Sequence, residues 1–125
     1  MGDPVVHFEI AGADGAGLGE FYRDLFGWRS EPVGSSGGDY RMVDTGNEGL
    51  SGGIGSFPNV PPYVTFYVQV QDLETAVARA SELGGSTVMR PREIFPGLRA
   101  AMISDPEGHM VGMLCPTRGD APPPG

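Results

Sequence analysis

Two side chains near the start of the chain can do acid–base chemistry. They lie in PVVHFEI, Pro4 to Ile10, where His7 and Glu9 interrupt an apolar run of β-branched and aromatic residues. A neutral imidazole near a carboxylate can take a proton, pass one on, or hold a ligand by hydrogen bonds. The run reads as a β-strand, whose successive side chains point to opposite faces. Val6, Phe8 and Ile10 then share one face, and Val5, His7 and Glu9 the other. The first set suits burial against a helix. The second lines something polar, either solvent or a pocket.

Other reactive groups are few. The single cysteine, Cys115, lies late in an apolar strand-like run and reads as a small core residue. It has no intrachain partner, which suits a reducing compartment. His109 follows the turn sequence DPEG and reads as a turn-stabilising hydrogen-bonding residue, with Asp105 and Glu107 in the same structural role. Trp28 closes a helical stretch and reads as core. The chain has eight arginines and no lysine, so neither a Schiff-base lysine nor a phosphate-loop lysine exists here.

The elements that must position these groups fit an ordinary globular protein. The chain has 125 residues, 39% hydrophobic and 19% charged, enough for one compact domain with a core. Its net charge of −8 offers no basic footprint for nucleic acid. No apolar run is long enough for a membrane helix, and MGDPVV lacks the basic start and apolar stretch of a signal peptide. The expectation is a cytoplasmic protein with neither nucleic-acid nor membrane partners.

Periodicity divides the chain further. After the first strand comes GAGLGEFYRDLFGW, with Leu18, Phe21, Tyr22, Leu25 and Phe26 at helical spacing, Asp14 as N-cap and Gly27 as the stop. EPVGSSGG reads as a flexible turn region, DYRMVDTG as a strand, NEG as a hairpin signal and LSGGIGSF as a glycine-softened strand. FPNVPP reads as a stiff linker. The order then returns. PYVTFYVQV is a strand with Val64, Phe66, Val68 and Val70 on one face and Thr65, Tyr67 and Gln69 on the other. DLETAVARASELGG is a helix capped by Asp72, with Leu73, Ala76, Val77, Ala80 and Leu83 as its stripe and Gly84 at its end. STVMRPREIF is a strand broken by Pro91, and LRAAMISD and HMVGMLCP are strands joined by the PEG turn.

The two halves align residue against residue. Asp14 matches Asp72, 58 positions on, and Glu48 in NEGLSGGIG matches Glu107 in PEGHMVGML, 59 positions on. A repeat present twice means two similar modules, each able to cover one sheet face with its helix. The expected organisation is a single domain over 1–116, with module one at about 4–57, module two at about 62–116, and a disordered tail at 117–125.

VVHFEI followed by EFYRDLFGW, the junction PPYVTFYVQVQDLETAVARASELGG and the closing DPEGHMVGML together resemble the vicinal oxygen chelate superfamily. That superfamily includes glyoxalase I, the fosfomycin and bleomycin resistance proteins and the extradiol dioxygenases. The resemblance covers roughly residues 4 to 116, and the nearest pattern is that of small bacterial glyoxalase-like proteins of unassigned activity. It implies an α+β fold in which two βαβββ modules form a cupped, open, eight-stranded barrel-like sheet with helices on the outer face. It also implies a ligand inside the cup, and commonly a homodimer.

The superfamily's metal enzymes draw their ligands from the first and last strands of each module. The repeat places these positions at His7, Thr65, Gly53 and Gly112. A metal centre needs at least three His or carboxylate ligands and an open position, and only His7 supplies one. A divalent metal is therefore not expected, and no cofactor is implied. Gly53 and Gly112 are expected to leave room in the cup floor, with Tyr67, Met110 and Leu114 on that side. The candidate ligand-binding residues are His7, Glu9, Thr65, Tyr67, Gln69, Gly53, Gly112 and Met110. His7 and Glu9 are the candidate catalytic pair.

Three functions follow as expectations. The first is a metal-independent protein of the glyoxalase and bleomycin-resistance type that binds a small organic molecule in the cup. The second is a lyase, isomerase or dioxygenase-type enzyme acting next to a carbonyl, with His7 and Glu9 as acid and base or as partial metal ligands and Tyr67 or Tyr40 as donor. The third is a non-catalytic protein-interaction module with a filled cup.

Overall fold

The computed structural model describes residues 2–33, 40–46 and 48–117. Parts of the expected turns at EPVGSSGG and NEG, and nearly all of the expected tail, lie outside these residues. The described elements run β1 (Val5–Gly12), α1 (Gly15–Phe26), β2 (Arg29–Val33), β3 (Tyr40–Asp44), β4 (Gly52–Ser56), β5 (Tyr63–Gln69), α2 (Leu73–Glu82), β6 (Ser86–Phe95), β7 (Leu98–Ser104) and β8 (Met110–Pro116). The fold is α+β, and the βαβββ order occurs twice, as the repeat requires.

The chain forms two compact units, one of Val6–Phe66 and one of Met1–Val5 with Tyr67–Gly125. In the first, the strand order is β2-β3-β4-β1, with β1 parallel to β4 and the other neighbours antiparallel. In the second, the order is β5-β8-β7-β6, with β5 parallel to β8. The repeat is visible in register. Glu9 stands opposite Gly53 in the first unit, and Tyr67 opposite Gly112 in the second.

Each helix starts and packs for readable reasons. Asp14 accepts a hydrogen bond from the Gly17 N–H at 3.0 Å, and Asp72 accepts one from the Thr75 N–H at 3.1 Å, satisfying amides that a helix start leaves open. Gly27 ends α1 in the left-handed region at φ 78°, where a Cβ would be strained. The Gly15 N–H donates to Ser56 Oγ at 2.7 Å, tying the start of α1 to β4. Beneath α1 lie Ile10, Val43 and Ile54, with Phe8, Leu18, Tyr22 and Trp28 packed against them. Leu73 of α2 packs with Val70, Ala101 and Met113.

Four local expectations are corrected. Glu31, Pro32 and Val33 are not turn but belong to β2, an edge strand, where the missing Pro32 N–H leaves no ladder bond unmade. Pro91 does not break its strand. β6 runs through it, and the register shifts between Met89 and Arg92 instead. On α1, Phe21, Leu25 and Phe26 are exposed, because only Leu18 and Tyr22 of the stripe reach the core. On β5, Val64 is 72% exposed and Phe66 43%, whereas Thr65 and Tyr67 on the other face are buried. Val64 lines an open apolar groove of about 310 Å³ with Ile10, Gly12, Leu18, Tyr22 and Pro62.

Candidate functional site

The first unit assembles a polar cluster around its first strand. Alternation in β1 brings His7 and Glu9 to one face. The start of β3 brings Tyr40, and the start of β5 brings Tyr63. Glu9 is only 5% exposed. A buried carboxylate is costly unless its oxygens are hydrogen-bonded. Here the Tyr40 hydroxyl donates to Glu9 Oε1 at 2.8 Å and the Tyr63 hydroxyl donates to Glu9 Oε2 at 2.5 Å. Bonds from a neutral donor to a charged acceptor contribute about 1.5–3 kcal/mol each. His7 Nε2 lies 3.1 Å from the Tyr40 oxygen, so imidazole, phenol and carboxylate form one chain.

The environment tunes these groups in opposite ways. Burial holds the His7 imidazole below its ordinary value of 6.5, and the Glu9 charge offsets part of this. His7 is therefore neutral at pH 7, fit to accept a proton. Burial pushes the Tyr63 phenol well above its ordinary value of 10.0, and its bond to Glu9 and the Glu9 charge push it further. Tyr63 stays a donor through the physiological range.

The glycines expected to open space do not. A Cβ placed on Gly53 would overlap the hydroxyl and ring of Tyr40. A Cβ on Gly112 would overlap the ring of Tyr67. Each last-strand glycine is thus roofed by a tyrosine, and the expected vacancy is filled. This bears on metal fit. At the positions where the superfamily's metal enzymes carry ligands, the chain offers one imidazole, a buried threonine and two roofed glycines. Glu9, the nearby carboxylate, has both oxygens engaged by phenols. Among the described residues, no group of three or more His, Cys, Asp or Glu side chains could hold a metal ion.

The remaining candidates are placed as follows. Thr65 is buried in the first unit, with its Oγ1 3.4 Å from the Phe66 carbonyl. Tyr67, Gln69, Met110 and Gly112 belong to the second unit. Tyr67 is buried with Ala100 and Met102, and Met110 packs against them. Gln69 is exposed, and its backbone N–H donates to the Pro4 carbonyl at 2.9 Å. Tyr63 was absent from the sequence-derived set. Extending the β5 alternation one step back from Thr65 would have found it. His109 serves the turn: its backbone N–H donates to Asp105 Oδ1 at 2.9 Å, and its Nδ1 lies 3.0 Å from Asp105 Oδ2.

Strand order, paired parallel first and last strands, and a polar cluster on the first strand define a vicinal oxygen chelate fold. The chain belongs to the glyoxalase-like domain family, whose model matches residues 7–113. "Putative glyoxylase CFP32" of Mycobacterium tuberculosis is 30% identical over 112 residues, which are 84% of this chain and 42% of that protein. The chain therefore spans less than half the length of that curated relative. Among solved structures, methylmalonyl-CoA epimerase from M. tuberculosis superposes with a TM-score of 0.63 at 18% identity, covering 94% of this chain and 90% of that one. A glyoxalase/bleomycin resistance protein/dioxygenase superfamily member from Vibrio splendidus superposes with a TM-score of 0.62 at 17% identity, covering 91% and 99%. At these identities the structural likeness concerns the fold alone.

Proposed function

We propose that this glyoxalase-like protein binds a small organic molecule at the His7–Tyr40–Glu9–Tyr63 cluster without a metal. The observation that carries the reading is Tyr40 itself. It fills the space above Gly53 and ties His7 to Glu9 by hydrogen bonds. Ligand pockets need a few fixed polar groups that orient a guest, and a buried, hydrogen-bonded set supplies them. The protein works as a homodimer, for which exposed Phe21, Leu25 and Phe26 on α1 offer apolar surface to cover. Thermal-shift screening against a panel of metabolites and antibiotics tests the binding. The expected result is stabilisation by at least one compound, lost in His7→Ala. No stabilisation by any compound would count against the reading.

A second reading has its own observation. Carboxylate, phenol and imidazole in series form a path for a proton, as a lyase or isomerase acting next to a carbonyl requires. In that case His7 takes the substrate proton and Tyr40 and Glu9 hold the imidazole in place. Solvent deuterium exchange into a carbonyl compound, abolished in His7→Ala while the fold survives, would favour this reading over binding alone.

A further inference from the structure

One side chain of the first unit serves two surroundings. The Tyr63 hydroxyl donates to Glu9 Oε2 at 2.5 Å, and the same residue lines the open groove of about 310 Å³ that Val64 borders. Other walls of the groove are Ile10 of β1, Leu18 and Tyr22 of α1, and Pro62 just before β5. These walls are set in advance. Glu9 holds Tyr63 by its hydroxyl. Tyr22 is stacked on Trp28, with ring centroids 5.3 Å apart and planes at 19°. Pro62 has a fixed φ, and Ile10 belongs to the core beneath α1. A surface ordered beforehand loses little entropy when a guest arrives.

Charge and size select the guest. Among the described residues that line the groove, none carries a charged side chain, and burial keeps the Tyr63 phenol protonated. An anion here would give up its hydration to an apolar lining backed by the Glu9 carboxylate, without a compensating partner. An apolar space of about 150 Å³ holds one benzene ring, so the groove matches two fused rings. A stable protein interface takes about 800 Å² from each partner. Of the walls named here only Pro62 and Val64 are exposed, and the others are buried or half-buried, which is too little for such an interface.

We infer that the groove between α1 and the start of β5 is a binding site for an uncharged aromatic molecule of one or two rings, packed against Tyr22, Tyr63 and Val64. Tyrosine rings receive such a guest offset-stacked or edge to face. The site goes beyond the binding reading of the His7 cluster and does not rest on it. Tyr63 joins the two places, but the guest meets the groove walls.

Calorimetric titration of the full chain with 2-naphthol and 2-naphthoate at neutral pH tests this. The two probes share their rings and differ in charge. Val64→Asp places a carboxylate in the groove at a position 72% exposed, where the fold tolerates it, and Val88→Asp makes the same change on β6 at a position 53% exposed. The expected result is saturable 1:1 binding of 2-naphthol, weakened at least about tenfold by Val64→Asp and unchanged by Val88→Asp. 2-Naphthoate is expected to bind at least about tenfold more weakly than 2-naphthol. No saturable binding of 2-naphthol, or an affinity that Val64→Asp leaves unchanged, would overturn the inference. Equal or tighter binding of 2-naphthoate would overturn the uncharged class. Loss of self-association in Val64→Asp, read by sedimentation, would give the groove to a second copy of the chain and overturn it likewise. Binding that survives Val64→Asp and is lost in His7→Ala would sink this inference and leave the cluster reading standing. Binding lost in Val64→Asp and unchanged in His7→Ala would support the groove alone.

Discussion

The two units share one plan and spend it differently. In each, a first strand lies parallel to a last strand, and a glycine on the last strand is roofed by a tyrosine. In the first unit the residue opposite that glycine is Glu9, and the roof comes from β3 as Tyr40. In the second the opposite residue is Tyr67, which is itself the roof. One substitution type at matched positions therefore decides the character of each half. A carboxylate recruits two phenols and an imidazole into a polar cluster. A tyrosine at the same place sinks among Ala100, Met102 and Met110 and becomes core. The same backbone thus supports a polar cluster in one half and apolar packing in the other, which is why fold alone does not assign chemistry.

The largest expected effects probe what the halves have in common. Ile54 under α1 and Leu73 on α2 are each 1% exposed. Ile54→Ala and Leu73→Ala should each cost about 2–5 kcal/mol in urea unfolding. A loss confined to one of them would mean that the halves do not contribute alike to the folded state. Next, Tyr40→Phe should cost about 1.5–3 kcal/mol, because it strips a donor from a buried carboxylate. Tyr63→Phe should cost a similar amount, and the double variant should depart from additivity because both phenols serve Glu9. Strict additivity would show that the cluster is not one unit.

Smaller differences sharpen the contrast. Gly53→Ala and Gly112→Ala both press a methyl into a tyrosine, at about 1–3 kcal/mol. The second should sit at the upper end, since Tyr67 is 8% exposed while Tyr40 is only half-buried and can yield. The reverse order would contradict the packing described. The smallest effect is on pH dependence. His7 has its folded value held below 6.5. Between that lowered value and 6.5 the unfolded chain binds more protons, so stability rises with pH across this window and falls as the solution is acidified through it. His7→Gln should flatten that part of the profile in thermal unfolding. An unchanged slope would place the titration elsewhere.

Much of this was legible in the sequence, for physical reasons. The strand-helix order, both N-caps and the repeat follow from period, capping residues and turn glycines, which are local signals. His7 and Glu9 were recognisable because two polar groups in an apolar strand demand an explanation. What the sequence concealed is tertiary. Glycine reads as empty space until the neighbour that fills it is known, and Tyr40 lies 13 residues before Gly53 on another strand. The exposure of Val64 and Phe66 was hidden for a similar reason. Alternation marks two faces of β5, but at its start the apolar side chains Val64 and Phe66 are exposed while Thr65 is buried. Pro32 misled because an edge strand tolerates what a central strand does not.

Calorimetric titration of metal-stripped protein with Ni²⁺, Zn²⁺, Mn²⁺ and, under anaerobic conditions, Fe²⁺ tests most directly whether Tyr40 has replaced a metal site. The account predicts no stoichiometric binding, or weak binding indifferent to His7→Ala. Stoichiometric binding tighter than about 1 μM, lost in that variant, would contradict it and return the protein to the metal-dependent members of its superfamily.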